Sequence, residues 1–246
     1  MKEIIPAGKT DTSLTISSSI MGITVRYSVY LPPGYDSTEQ SYPVFYLLHG
    51  MYGNHCDWIN NGMASEMNHA IAAGKAKPMV VVMPQGFNLF YCNNFNNQGF
   101  NYEDFFITEF IPSIEDKLRV KKERNNRAIG GLSMGGYGAT LNAYKRPELF
   151  GSCYSMSGAL PGVNGAPDIR EIINRKQPGE LAILPAYVME TGTEDFLVYA
   201  GNVEFNRFLE DKGIQHNFIT RPGTHDWNFW MTCLPKAIAF ISKYFD

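Results

Sequence analysis

A strand-like run over residues 127–132, apolar after Arg127, leads directly into Ser133, which stands between Gly131 and Gly135, and helix-forming sequence follows as far as Arg146. A strand that becomes a helix over one serine needs strained backbone angles there, and neighbours lacking side chains so that adjacent elements can close in. Such a strand is apolar without alternation, as expected when helices cover both faces of a parallel sheet. This one turn therefore asks for strands on either side of it and helices above and below.

The rest of the chain can supply them. Strand-like runs are expected at residues 25–31, 44–48, 79–83, 152–157, 187–190 and 218–221, with helical patterns at 63–76, 102–118, 135–146, 203–211 and 236–244. This alternation predicts the α/β class with a doubly wound, mostly parallel sheet in a single domain over residues 1–246. Residues 158–181 are irregular and carry Pro161, Pro167 and Pro178, which suggests a small cap or lid insertion. Residues 85–102 are rich in Asn, Gly and aromatic side chains without a period and read as a loop lining a cleft. In such sheets the chemistry gathers at the carboxyl ends of the strands, after Leu48, Leu132, Glu190 and Arg221.

Several functional classes can be set aside. A formal net charge of −3 with no long run of like charge gives no reason to expect nucleic acid or an anionic membrane as partner. The apolar runs are of strand length, so none spans a bilayer. The N-terminus, Met-Lys-Glu-Ile-Ile-Pro, lacks a secretory signal, which points to the cytoplasm, with secretion after signal removal as the alternative. Four cysteines (Cys56, Cys92, Cys153 and Cys233) have no metal-like spacing and read as free thiols, and no cofactor or metal is expected. Oligomeric state is not encoded in any pattern we recognise.

A serine hydroxyl is a weak nucleophile near neutrality and needs a base within hydrogen-bonding reach. In sheets with this serine turn the acid and then the histidine follow the serine along the chain. Of five histidines only His216 and His225 follow Ser133. His216 precedes a strand, at its amino end, whereas His225 follows the last strand through Pro222-Gly223-Thr224 and is the expected base. Gly192-Thr193-Glu194-Asp195 supplies the acid, with Asp195 preferred and Glu194 second; the plain alternative for Asp195 is a turn or cap residue. The expected oxyanion donors are the backbone N–H of Met134, after the serine, and that of Met51 in His49-Gly50-Met51. His49 itself reads either as an orienting group beside them or as a satisfied strand-end histidine.

Five segments carry a resemblance: Tyr30-Leu31-Pro32-Pro33-Gly34-Tyr35, Tyr46-Leu47-Leu48-His49-Gly50, Gly131-Leu132-Ser133-Met134-Gly135-Gly136, Gly192-Thr193-Glu194-Asp195 and His225-Asp226-Trp227. Together they resemble the esterase D-like family of α/β-hydrolases, nearest to feruloyl esterases and to tributyrin or acetyl esterases, over about residues 25–245. The resemblance implies Ser133, Asp195 and His225 as the triad, Met51 and Met134 as oxyanion donors, and Trp230 and Trp58 beside the substrate. Trp227 joins them among the aromatic residues around the expected cleft, a composition suited to an aromatic acyl group near sugar. The expected substrate is thus a feruloyl ester of cell-wall xylan, small or polysaccharide-linked, with a short-chain acetyl ester as the alternative. S-formylglutathione hydrolases usually have histidines where this chain has Leu132 and Tyr137. A non-catalytic, carbohydrate-binding relative would show a gap among the three reacting positions, and none is seen.

Overall fold

Strands β3 (Val44–Leu48), β4 (Val80–Pro84), β5 (Arg127–Leu132) and β6 (Ser152–Met156) are buried at every residue, so no alternation of polar and apolar residues survives in them. In a computed structural model, which describes residues 6–246, they join β1 (Lys9–Ser17), β2 (Thr24–Leu31), β7 (Ala186–Gly192) and β8 (Asn217–Arg221) in one eight-stranded sheet. The order is β1-β2-β4-β3-β5-β6-β7-β8. From β4 to β8 all neighbours are parallel, while β1 pairs antiparallel with β2 and β2 with β4. The sheet is therefore mostly parallel, as the sequence requires, with β5 near its middle.

Helices cover both faces. One core layer joins the sheet to α1 (Asp57–Asn60), α2 (Met63–Ala72) and α9 (Trp227–Ser242) through Trp58, Met63, Met67, Trp230, Leu234 and Ile238. The other receives α3 (Tyr102–Phe105) and α4 (Ile111–Lys117), which are joined by a π turn, then α5 (Met134–Lys145), α6 (Ile169–Asn174) and α8 (Tyr199–Asp211). A short α7 (Pro178–Ala182) lies between α6 and β7. Within residues 158–181, Ile169 and Ile173 of α6 are buried, and the Tyr137 hydroxyl donates to the Pro167 carbonyl at 2.7 Å.

Three readings of the sequence change. β1 was not foreseen, because its residues are mostly exposed and polar; it exists by pairing with β2 as an edge strand. The last helix begins nine residues before the expected 236, at Trp227, where the Asp226 carboxylate accepts the Phe229 N–H at 2.9 Å. In residues 85–102 the expected cleft lining is instead core for Phe90, Tyr91 and Phe95, all buried. Phe90 stacks on Phe95 with centroids 4.7 Å apart, and the Tyr91 hydroxyl donates to the His49 carbonyl at 3.0 Å.

Candidate active site

Ser133 lies between β5 and α5 at φ 52° and ψ −117°, a conformation rare for a residue with a side chain and one that surrounding packing must enforce. The packing depends on its neighbours. A Cβ on Gly135 would come 2.5 Å from the Leu48 carbonyl oxygen and 2.6 Å from that of His49, and one on Gly131 would meet Leu48 O at 2.7 Å. The glycines therefore let the serine turn sit directly against the end of β3. On the other side the Ser133 N–H donates to Met156 O on β6 at 2.9 Å.

The turn after β8 brings His225 to this point. Ser133 Oγ donates to His225 Nε2 at 2.9 Å, and His225 Nδ1–H donates to Asp195 Oδ2 at 2.6 Å. The carboxylate acceptor fixes the proton on Nδ1, leaving Nε2 free to accept from the serine. Asp195 is buried, and its second oxygen accepts the Leu197 and Val198 N–H groups at 3.2 and 3.3 Å. Glu194, the second choice for the acid, is exposed, and Asp226 caps α9 instead of reaching the imidazole. His216 is occupied elsewhere, with its ring nitrogens against Ile214 O and Asn206 Oδ1, both at 2.8 Å.

A buried ionic centre holds the turn bearing His225. Glu190 on β7 accepts from Arg221 Nε and Lys236 Nζ, each at 2.6 Å, and from the Tyr154 hydroxyl at 2.5 Å. Arg221 ends β8 and Lys236 lies in α9, so one carboxylate grips both flanks of the turn. Sequence reasoning passed over Glu190, although a lone acid inside a strand otherwise apolar was a usable signal.

Backbone N–H groups offer a candidate oxyanion position beside Ser133. Met134 opens α5, where the first N–H groups have no partner within the helix and the positive dipole end favours a developing negative charge. Met51 follows Gly50, at which a Cβ would lie 3.6 Å from Ser133 Cβ. Among the described residues neither the Met51 nor the Met134 N–H donates to a protein acceptor. His49 anchors this loop: its Nδ1–H donates to Gly50 O at 2.7 Å, and its Nε2 accepts the Gly86 N–H at 2.8 Å. Burial pushes its pKa down, so the ring stays neutral and acts as a brace between the ends of β3 and β4.

The three tryptophans form one cluster. Trp58 and Trp227 meet edge to face with centroids 5.1 Å apart, and Trp227 and Trp230 do so at 5.5 Å. Trp230 stands perpendicular to the His225 ring at 5.0 Å. The expectation that Trp58 contacts substrate is corrected: it is wholly buried, and its indole N–H donates to Leu48 O at 3.1 Å, where it supports the end of β3. Trp230 is buried against the imidazole, and Trp227 is half-buried.

Such an arrangement can carry out acyl transfer, because it offers a nucleophile, a base held in one tautomer and two free donors for an oxyanion. Residues 18–169 match the model of the Esterase family. The chain belongs to that family. The esterase is a carboxylic ester hydrolase. It is 31% identical to a ferulic acid esterase of known structure, with a TM-score of 0.89 over 98% of this chain and 99% of that one. It is 28% identical over 240 residues to an acetyl esterase of Caldicellulosiruptor saccharolyticus, covering 86% of this chain and 87% of the relative. Over 154 residues it is 38% identical to an endo-1,4-beta-xylanase/feruloyl esterase of Xylanibacter ruminicola, a match that spans 59% of this chain and 21% of that longer protein. Among the described residues no helix is long and apolar enough to cross a membrane.

Proposed function

We propose that the esterase releases ferulate and related hydroxycinnamates from esters of plant cell-wall xylan, through an acyl-enzyme on Ser133. The observation that carries the chemistry is the continuous hydrogen-bond path from Ser133 through His225 to Asp195, 2.9 and 2.6 Å long. As Oγ attacks the ester carbonyl carbon, its proton passes to His225 Nε2, and Asp195 stabilises the imidazolium that results. The Met51 and Met134 N–H groups receive the oxyanion, each contributing about 3 kcal/mol of transition-state stabilisation. The imidazolium then gives its proton to the leaving alcohol. Water, deprotonated by the same nitrogen, cleaves the acyl-enzyme and restores the serine.

The choice of acyl group is supported by the likeness to the ferulic acid esterase along nearly the full length of both chains, and by the xylanase/feruloyl esterase relative. The acetyl esterase relative favours a second reading, a short-chain acyl esterase acting on small or carbohydrate esters. Comparing kcat/KM for methyl ferulate and p-nitrophenyl acetate separates the two. Efficient ferulate release supports the first; equal or better acetate turnover with negligible ferulate release replaces it with the second.

A further inference from the structure

Exposed large apolar side chains are not spread evenly over this molecule. Among the described residues the three most exposed are Phe196, Tyr52 and Leu197, at 96%, 84% and 77%, and the next, Ile183, reaches only 46%. All three sit on the two loops that build the reacting centre. Phe196 and Leu197 directly follow Asp195, and Tyr52 directly follows the oxyanion donor Met51. Gathering the most exposed apolar surface around one site is a mark of binding, since such surface is otherwise selected against.

Both loops are held rather than loose. Tyr52 adopts φ 62°, a left-handed value that is an outlier for a bulky aromatic residue, and its N–H donates to Asn88 Oδ1 at 2.7 Å. The Phe196 N–H donates to Glu194 O at 3.1 Å, and that of Leu197 to the Asp195 carboxylate. The side chains are thus displayed to solvent from fixed backbone, so a ligand that covers them has little backbone freedom to remove.

Strand order sets which part of a substrate each meets. β3, which leads to Tyr52, adjoins β5 on one side; β7, which leads to Phe196, lies two strands away on the other. With neighbouring strands about 4.8 Å apart, the two rims stand about 15 Å from each other across Ser133, room for an aromatic acyl group with a sugar beyond it. His225 follows β8 and must hand its proton to the leaving oxygen, so the alcohol lies on the β7–β8 side. The carbonyl oxygen turns down to the Met51 and Met134 N–H groups, which leaves the acyl group to extend away from the imidazole, along the rim that carries Tyr52.

The geometry points to a divided rim, in which Phe196 and Leu197 pack against the sugar ring of the leaving alcohol and Tyr52 packs against the acyl group. This assignment rests on the feruloyl-polysaccharide reading above and specifies which side of the site reads which half of the substrate. An aromatic face suits the C–H face of a sugar and the plane of a phenolic acid alike.

The test is a substrate matrix for Phe196→Ser and Tyr52→Ala, both at exposed positions, with unchanged circular dichroism as the folding control. The substrates are methyl ferulate, a feruloylated arabinoxylan oligosaccharide and p-nitrophenyl acetate. Phe196→Ser should lower the kcat/KM ratio of the oligosaccharide ester to methyl ferulate about tenfold, mainly through KM, and Tyr52→Ala should lower the ratio of methyl ferulate to p-nitrophenyl acetate by a similar factor. Both ratios staying within about twofold of the parent would overturn the rim, and the two variants exchanging effects would overturn the assignment of sides. If the parent enzyme releases no ferulate from either ester, the acyl-group reading fails by itself. Phe196→Ser is then read on acetylated xylo-oligosaccharide against methyl acetate, where an unchanged ratio refutes the alcohol-side contact.

Discussion

Glu190→Gln keeps the size of the side chain and removes the charge on which the turn bearing His225 is fastened. Burial alone would push this carboxyl's pKa up, but hydrogen bonds from Lys236, Tyr154 and Arg221 outweigh it and hold the group below its ordinary value of 4.5. Removing one member of a buried ion pair costs about 3–5 kcal/mol because the other is left uncompensated. Here the stranded cations are partly wet, Arg221 at 26% and Lys236 at 44% exposure. They recover some hydration, which brings the expected loss to about 2–3 kcal/mol at neutral pH. For a chain of this length that is a fall in Tm of about 5–10 °C. A carboxyl whose pKa is depressed by folding adds stability in full above its unfolded value, and that stability disappears as the pH drops through the folded value. The difference in Tm between parent and variant should accordingly be widest near neutrality and close below about pH 4.5. Thermal unfolding followed by circular dichroism across this range measures it, with kcat and KM taken alongside; kcat should fall more than KM rises, since the imidazole is what loses its footing. A Tm within about 2 °C of the parent at neutral pH, or a difference that persists undiminished in acid, would refute the reasoning.

Ser133→Ala should lower kcat on the order of a millionfold with KM little changed and abolish labelling by an organophosphonate; residual labelling at another serine would displace Ser133 as nucleophile. Gly135→Ala places a methyl group against the carbonyl oxygens of Leu48 and His49, which are backbone and cannot turn aside. It should cost about 2–3 kcal/mol and most of the activity, so parental Tm and kcat would count against the close packing described. A thiol reagent followed by mass spectrometry should find one adduct on the folded protein, at the partly exposed Cys56. Burial pushes the Cys92 and Cys233 thiols up to about 12 and raises Cys153 as well, so those three should react only after unfolding.

The centre of the sheet was legible because full burial writes itself into composition: β3 and β4 hold a continuous apolar character that surface elements do not share. That Ser133, Asp195 and His225 come together was legible because the serine turn dictates its own glycines and candidate partners are sought in order at strand ends. β1 could not be found this way, as a polar edge strand gains its structure from a partner and not from its own pattern. The first half of α9 was hidden by its aromatic residues and by Pro235 in its interior. Yet Asp226 as cap, with Trp227, Trp230, Met231 and Leu234 at helical spacing, was a readable start. Trp58 shows a deeper limit. An aromatic residue near a site has the same letter whether it faces the substrate or the core, and only its full burial and its hydrogen bond to Leu48 O assigned it to the core. Tyr52 and Phe196 escaped notice for the same reason in the opposite sense.

Ser133 stands near the middle of the sheet, but His225 hangs from β8, one of its two edge strands, which has a neighbour on one side only. Borders of sheets open at lower free energy than their interiors. Warming should therefore detach the imidazole while the central strands are still intact, silencing the enzyme before it unravels. Durability in this molecule is a property of its hem, and the stitches to reinforce are those joining β8 to β7.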